Sequence, residues 1–393
     1  MTSPPLSEIG ELVEPISSWT PERHDPDGVF TYVDLSAVDQ DAKIVSGARV
    51  IACSAAPSRA RQLVRVGDVL VSTVRPNLNA VTRVPPALDG ATVSTGFCVL
   101  RPRPGRLDGQ YLYHWVRSPR FVSDMTRKAT GASYPAVSDR IVCGSKLPLP
   151  SLPEQRRIAE ILDKADALRA KRRAAIAQLD SLTQAIFLDM FGDPATNPKG
   201  WPITKIAELL ASASYGTSQK PAADGELPIL RMNNITRHGE IDLSELKHID
   251  LPASQRDRYT VVAGDVLFNR TNSADLVGKT ALYRGPKRMA YAGYLIRLRL
   301  KPTTEPEYLA AFLNTSHSKR VLRSMCKSII GMANINATEL QGISIAAPDH
   351  PLQQKFVRRI AGVRQLREGH LRLLSVDDQL FCALQHRAFR GEL

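Results

Sequence analysis

Shifted by 197 residues, the chain matches itself, and this duplication restricts the fold to two related halves. Glu11-Leu12 falls on Glu208-Leu209, and Gly67-Asp68-Val69-Leu70 on Gly264-Asp265-Val266-Leu267. Gly96-Phe97 falls on Gly293-Tyr294, and Tyr111-Leu112 on Tyr308-Leu309. Towards the end of each copy the shift drifts by a few residues, so that Gly131 faces Gly331, Pro150 faces Pro348 and Gln155 faces Gln353. The drift is what small loop insertions produce. The chain therefore reads as a mixed segment (1–152), a helical run (153–191), a second mixed segment (192–350) and a second helical run (351–393).

The helical runs carry the plainest local signal. Pro153 followed by Glu154 suits the first turn of a helix, where a missing N–H and a negative charge are both tolerated. From there Ile158, Ile161, Ala165, Leu168, Ala175, Leu179, Leu182 and Ile186 recur at steps of three and four, with Arg172 the one charged residue among them. Such a heptad pattern predicts a helix packed along its length against another helix. Gly192-Asp193-Pro194 ends it. The second run offers Phe356, Ile360, Val363, Leu366, Leu373, Leu380 and Leu384, interrupted by His370 and Asp377. Each run occurs once, so the economical expectation is that they pair with each other, and an approximate two-fold relation between the halves makes them antiparallel. About 38 residues at about 1.5 Å each span about 57 Å, comparable with one and a half turns of B-DNA. The pair would act as a spacer; a dimerising coiled coil between two chains is the alternative.

The mixed segments predict α/β (α+β) domains. β-rich runs beginning at Phe30, Asp68 and Gly96 recur at Pro228, Asp265 and Tyr294, and each set precedes a helical stretch, Asp108 to Arg127 and Glu307 to Ser324. The Gly-Asp before each central strand reads as a turn, because both residues tolerate positive φ.

Charge is uneven. The chain has 52 Lys+Arg against 39 Asp+Glu, a formal charge of +13. Residues 43–88 hold seven bases and one acid, and residues 270–301 hold eight bases and one acid. Two local basic fields suit a protein that touches phosphates at two places, with a merely solvated surface as the plainer alternative. The N-terminus has neither a basic nor an apolar leader region and no long apolar run occurs, which speaks for a cytoplasmic protein rather than a membrane one. Five cysteines without a C-x-x-C pair fit a reducing compartment and offer no zinc site.

Catalytic patterns are missing. Gly278-Lys279-Thr280 resembles the tail of a phosphate-binding loop, but Ser273 stands where the first glycine belongs. Asp224 with Glu245-Leu246-Lys247 forms a D…E-x-K triplet of the kind that arises by chance. No Asp-Pro-Pro-Tyr or Asn-Pro-Pro-Phe loop occurs, and no H-x-x-x-H pair. The chain reads as a binder and not an enzyme, with no cofactor and no metal of its own.

The four-part organisation resembles the specificity (S, HsdS) subunit of Type I restriction–modification systems. So do the run Leu147 to Asp163 (LPLPSLPEQRRIAEILD), the run Leu188 to Asp193 (LDMFGD), the run Gly67 to Asn77 (GDVLVSTVRPN), and Phe268 to Asn272 with Leu276 to Lys279. The likeness covers essentially the whole chain, and Pro153-Glu154-Gln155-Arg156-Arg157-Ile158 is its most specific part; at the second helix Pro351-Leu352-Gln353-Gln354 departs from it. The resemblance implies two target-recognition domains, each reading one half of a bipartite asymmetric double-stranded DNA site, with the helices setting the unread spacer. It implies further that the helices dock two methyltransferase subunits that bind S-adenosylmethionine and methylate adenine, and that a restriction subunit using ATP and Mg can join.

Base readers on this scheme are arginines for guanine and Asn or Gln for adenine, with other bases on phosphate. The candidates in the first domain are Arg75, Asn77, Asn79, Ser133 and Tyr134. Those in the second are Tyr215, Thr217, Ser218, Lys220, Arg231, Asn234, Arg270, Asn272, Lys279, Asn334 and Asn336. For each, a loop-structuring role stands beside a base contact. A self-contained nuclease or methyltransferase, and a solitary DNA-binding regulator or antitoxin-like adaptor, are the rival readings.

Overall fold

The computed structural model describes residues 4–221, 225–329 and 332–393, with the side chains of 327–329 and 332 excepted. Asp224 and Gly331 lie outside the described residues. The chain divides into two compact units. The first takes in the chain up to Arg173 together with Arg372–Leu393, and the second is Ala174–Leu371. Each unit thus holds one mixed segment and one half of each long helix, so the contacts group the chain differently from the four sequential segments.

In the first unit an antiparallel sheet has the strand order Val13–Glu14, Phe97–Pro102, Val69–Ser72, Val81–Arg83. A second sheet runs Arg49–Ala52, Val29–Val33, Thr92–Ser94, Ala60–Leu63, with one parallel pair at Tyr32 and Thr92. Leu6–Glu8 closes on Lys146–Pro148. The second unit repeats this order: Leu210–Tyr215, Leu295–Leu300, Val266–Asn269, Thr280–Leu282 in one sheet, and Lys247–Ile249, Leu227–Leu230, Met289–Tyr291, Thr260–Val261 in the other. Ile203–Lys205 closes on Ser344–Ala346. The predicted helical stretches are each two helices, Gly109–Val116 with Pro119–Lys128 and Pro306–Leu313 with Ser316–Met325. Ser118 and Thr315 break them by capping the second helix with a side-chain oxygen.

The Gly-Asp pairs are turns only at their glycines, Gly67 at φ 87° and Gly264 at φ 96°. The aspartates are buried ion-pair partners instead. Asp68 takes the Arg101 guanidinium at 2.7 and 2.9 Å, and Asp265 takes that of Arg299 at 2.9 Å. Gln155 and Gln353 also recur in role: each accepts a backbone N–H, from Asp108 and Glu305, and donates to a proline carbonyl, Pro150 and Pro348.

The long helices are Leu152–Phe191 and His350–Ala388. Within the first unit Arg157 reaches the Leu393 carbonyl and Arg169 reaches Asp378, so the segments run antiparallel. Within the second, Asp180 meets Arg367 and Asp189 meets Arg359, again antiparallel. The buried face differs from the expected leucine stripe. Ile158, Phe356, Ile360 and Val363 are buried, and Ile161, Leu179, Ile186 and Leu384 are half-buried. Leu168, Leu182, Leu366, Leu373 and Leu380 are exposed, between 40 and 60%. The covered rows run through Leu162, Arg169, Ile176 and Phe187 on the first helix and through Arg367, Leu374 and Phe381 on the second, each one position from a residue of the expected stripe, with Asp377 of that stripe also covered. Arginine can occupy such a row because its stem is apolar and its head finds a carboxylate. Arg169 lies over the Phe381 ring at 4.3 Å and bonds Asp166 and Asp378, and Arg172 bonds Asp377 at 2.6 Å.

Candidate nucleic-acid interface

In the first unit the strand Val69–Ser72 runs into a loop whose Val74 bridges to Ala136, which also bridges to Thr130 in its own segment. Arg75 takes a left-handed conformation, φ 50°, and its N–H donates to the Pro135 carbonyl at 2.7 Å. Its guanidinium lies 4.7 Å from the centre of the Tyr134 ring, and one Nη reaches the Ser133 carbonyl at 3.5 Å. Asn77 is exposed in the one-turn helix Pro76–Leu78. Arg75, Ser133 and Tyr134 therefore come together, with Asn77 two residues along the chain from Arg75, and all four are exposed.

The second unit builds a similar cluster from different positions. Thr271–Asn272 pairs with Met332–Asn334, bringing Asn272 and Asn334 to one sheet. Arg270 lies over the Tyr215 ring at 4.9 Å, and the Tyr215 hydroxyl accepts the Ala337 N–H at 2.8 Å. Arg270 Nε is buried without a hydrogen-bond partner, and so are both amide atoms of the fully buried Asn269 beside it. Ser218 and Lys220 are exposed on the segment after Tyr215.

Several candidates instead hold the loops together. Asn79 donates to the Arg117 carbonyl, and its own carbonyl accepts Lys43 Nζ at 2.5 Å. Thr217 is buried, its hydroxyl accepting the Gln219 N–H. Asn234 is buried and bonds the Asp242 and Glu245 carbonyls and the Arg231 N–H. Arg231 itself donates to the Glu245 carbonyl, with Nε buried and unpartnered. Lys279 gives its ammonium to the Met232 and Ile235 carbonyls, and burial lowers its pKa. Asn336 caps the helix Ala337–Gln341. Apart from Arg231 Nε, these polar groups take internal partners, because leaving a buried hydrogen bond unmade is costly.

The basic fields shrink by the same logic. Arg49 pairs with Asp34, Arg83 with Gln110, and Lys43 is turned inward, where burial and the nearby Arg117 push its pKa down to about 8. In 270–301, Arg284, Arg288, Arg297 and Arg299 all have internal carboxylate or carbonyl partners. Arg75 and Arg270 have no carboxylate partner among the described residues.

The contacts that tie each mixed segment to the helices were not foreseen. In the first unit His114 bonds Asp163 at 2.7 Å and Arg117 bonds Asp166 at 2.7 Å. Burial raises both carboxyl pKa values, but the hydrogen bonds from His114 and Gln110 to Asp163, and from Arg117 to Asp166, outweigh it and hold both below the ordinary value. In the second unit Gln184 bonds the Ala311 carbonyl at 3.1 Å. The reciprocal pairs Arg169–Asp378 and Arg367–Asp180 were also missed; both residues recur at the shift that aligns Gln155 with Gln353, which is the signal that would have found them.

No helix among the described residues is long and apolar enough to cross a membrane. The profile of the Type I restriction modification DNA specificity domain matches residues 68–178. The specificity subunit of the Type I restriction enzyme EcoKI from Escherichia coli K12 is 26% identical over 322 residues, 76% of this chain and 68% of that protein. A putative Type I specificity subunit, MjaX of Methanocaldococcus jannaschii, is 29% identical over 168 residues, 42% of this chain and 39% of that one. Among solved structures, a chain from work on complex assembly and conformational transition of the Type I restriction–modification system is 26% identical, with TM-score 0.60 and full coverage of both chains. A Type I S subunit from M. genitalium shares the fold at 13% identity, with TM-score 0.56 over 98% of this chain and 96% of that one. With the duplicated domains, the paired helices and these matches together, the chain is similar over its length to the specificity subunits of Type I restriction–modification systems.

Proposed function

We propose that the chain is the non-catalytic, sequence-specific DNA-recognition subunit of a Type I restriction–modification complex, with each recognition domain reading one half of a bipartite asymmetric site. The observation that carries this reading is the recurrence, in both repeats, of an arginine without a carboxylate partner, held over a tyrosine ring. Two different domains on duplicated frames suit a two-part target whose halves differ. The long helices set the unread spacer, and their exposed leucines, Leu168, Leu182, Leu366, Leu373 and Leu380, are a docking face for two methyltransferase subunits. S-adenosylmethionine belongs to those subunits, and ATP and Mg to a restriction subunit that can join; the complex works in the cytoplasm. The DNA-contacting set is Arg75, Asn77, Ser133 and Tyr134 in one domain and Tyr215, Ser218, Lys220, Arg270, Asn272 and Asn334 in the other.

The test is DNA binding by the assembled complex. Arg75→Ala and Arg270→Ala should each weaken binding to the cognate site, by about 1–3 kcal/mol. Unchanged affinity and unchanged site preference in both variants would remove these loops from the interface.

A further inference from the structure

Arg75 and Arg270 differ from the other arginines of the basic fields in how they are held; Arg297 also lies over a ring, Tyr291 at 5.4 Å, but it is buried and gives its head to the Asp257 and Thr260 carbonyls. Most of the others turn their heads to carboxylates or carbonyls. These two have their planar heads held against an aromatic face, at 4.7 Å over Tyr134 and 4.9 Å over Tyr215. A ring fixes the plane of a guanidinium and leaves its hydrogen-bonding edge available. Arg75 has one contact for that edge, the Ser133 carbonyl at 3.5 Å, the outer limit of a hydrogen bond and easily given up. At Arg270 the inner nitrogen is buried and unpartnered, and the adjacent Asn269 amide is fully buried with neither atom bonded. A gripped phosphate needs only a flexible charge. A fixed planar fork matches the O6 and N7 edge of guanine in the major groove, which a lysine cannot match in the same way.

We infer that each half of the target contains a guanine, read by Arg75 in one half and by Arg270 in the other, with Tyr134 and Tyr215 as positioning residues. This rests on the DNA-recognition reading above. The fork, and not the charge alone, carries the discrimination.

The experiment uses the full complex with its methyltransferase subunits. Methylated motifs are mapped across host DNA, and binding is measured on duplexes carrying the mapped site, with each guanine replaced in turn by 7-deazaguanine, which lacks the N7 acceptor. The expected motif has guanine in both halves. Arg75→Lys, which keeps the charge, should lose discrimination at one guanine in one half only, and Arg270→Lys at one guanine in the other, each by about 5- to 150-fold. Tyr134→Phe should keep the wild-type motif, while Tyr134→Ala relaxes the same position as Arg75→Lys. Should a variant fail to assemble, the 7-deazaguanine series on the wild-type complex still decides: one sensitive guanine per half supports the inference, and no sensitive guanine in a half overturns it. A defined motif whose base preferences survive both lysine variants overturns the guanine assignment and leaves DNA recognition standing. No chain-dependent motif with the wild-type complex removes the recognition reading itself, and this inference with it.

Discussion

Asn234 illustrates how a polar loop residue is claimed by its own backbone. Its amide bonds Asp242, Glu245 and Arg231, and it is buried. Asn234→Ala should therefore lower the unfolding free energy by about 1–3 kcal/mol, read by urea denaturation, while the methylated motif stays the same. A stable variant with a changed motif would return Asn234 to the reading set. Asp163 and Asp166 make a second prediction. Their folded carboxyl pKa values lie below the ordinary one, so the unfolded chain takes up these protons first as pH falls. The stabilisation is complete above the unfolded value, about pH 4, and is lost as pH falls through the folded values. Asp166→Asn should weaken the fold at neutral pH and flatten the loss below about pH 4. Parallel acid limbs for wild type and variant would contradict this.

At the scale of the element, the helix pair depends on rows that a hydrophobicity count misplaces. In the second unit the Arg367–Asp180 pair is largely covered, with side-chain exposures of 19 and 12%. Arg367→Ala leaves Asp180 without its charge partner and should cost about 3 kcal/mol, whereas Leu373→Asp, at an exposed position, should change stability by no more than about 0.5 kcal/mol. Leu373→Asp should instead weaken capture of the methyltransferase subunit in a co-purification assay. Equal loss of stability in both variants would mean the leucine row is the seam after all. The repeat, the two helices and the recurring strand runs were legible because spacing and self-similarity survive in the sequence. The true helix face was not, since Leu168 and Arg169 are neighbours on the same helix and the Asp378 carboxylate and Phe381 ring that draw the arginine inward lie on the other helix. Likewise Arg75 and Tyr134 were both legible as loop residues, but their stacking depends on the Val74–Ala136 bridge, which joins positions far apart in the chain.

For the whole molecule, duplication is the governing fact: sheet order, the buried Asp–Arg pairs at Asp68 and Asp265, the glutamine clamps at Gln155 and Gln353 and the reciprocal Arg–Asp helix pairs all occur twice. A duplicated reader with helices as spacers makes a quantitative prediction. Seven residues inserted into both long helices keep the heptad register and add about 10 Å, roughly the rise of three base pairs. The recognised site should keep both halves and gain a longer unread gap, as mapped by methylation. The most direct measurement is that same mapping on the wild-type chain: co-expressed with its adenine methyltransferase subunit, it should produce one asymmetric bipartite motif that neither protein yields alone. Methylation at a continuous or palindromic motif, or at the same sites without this chain, would contradict the account.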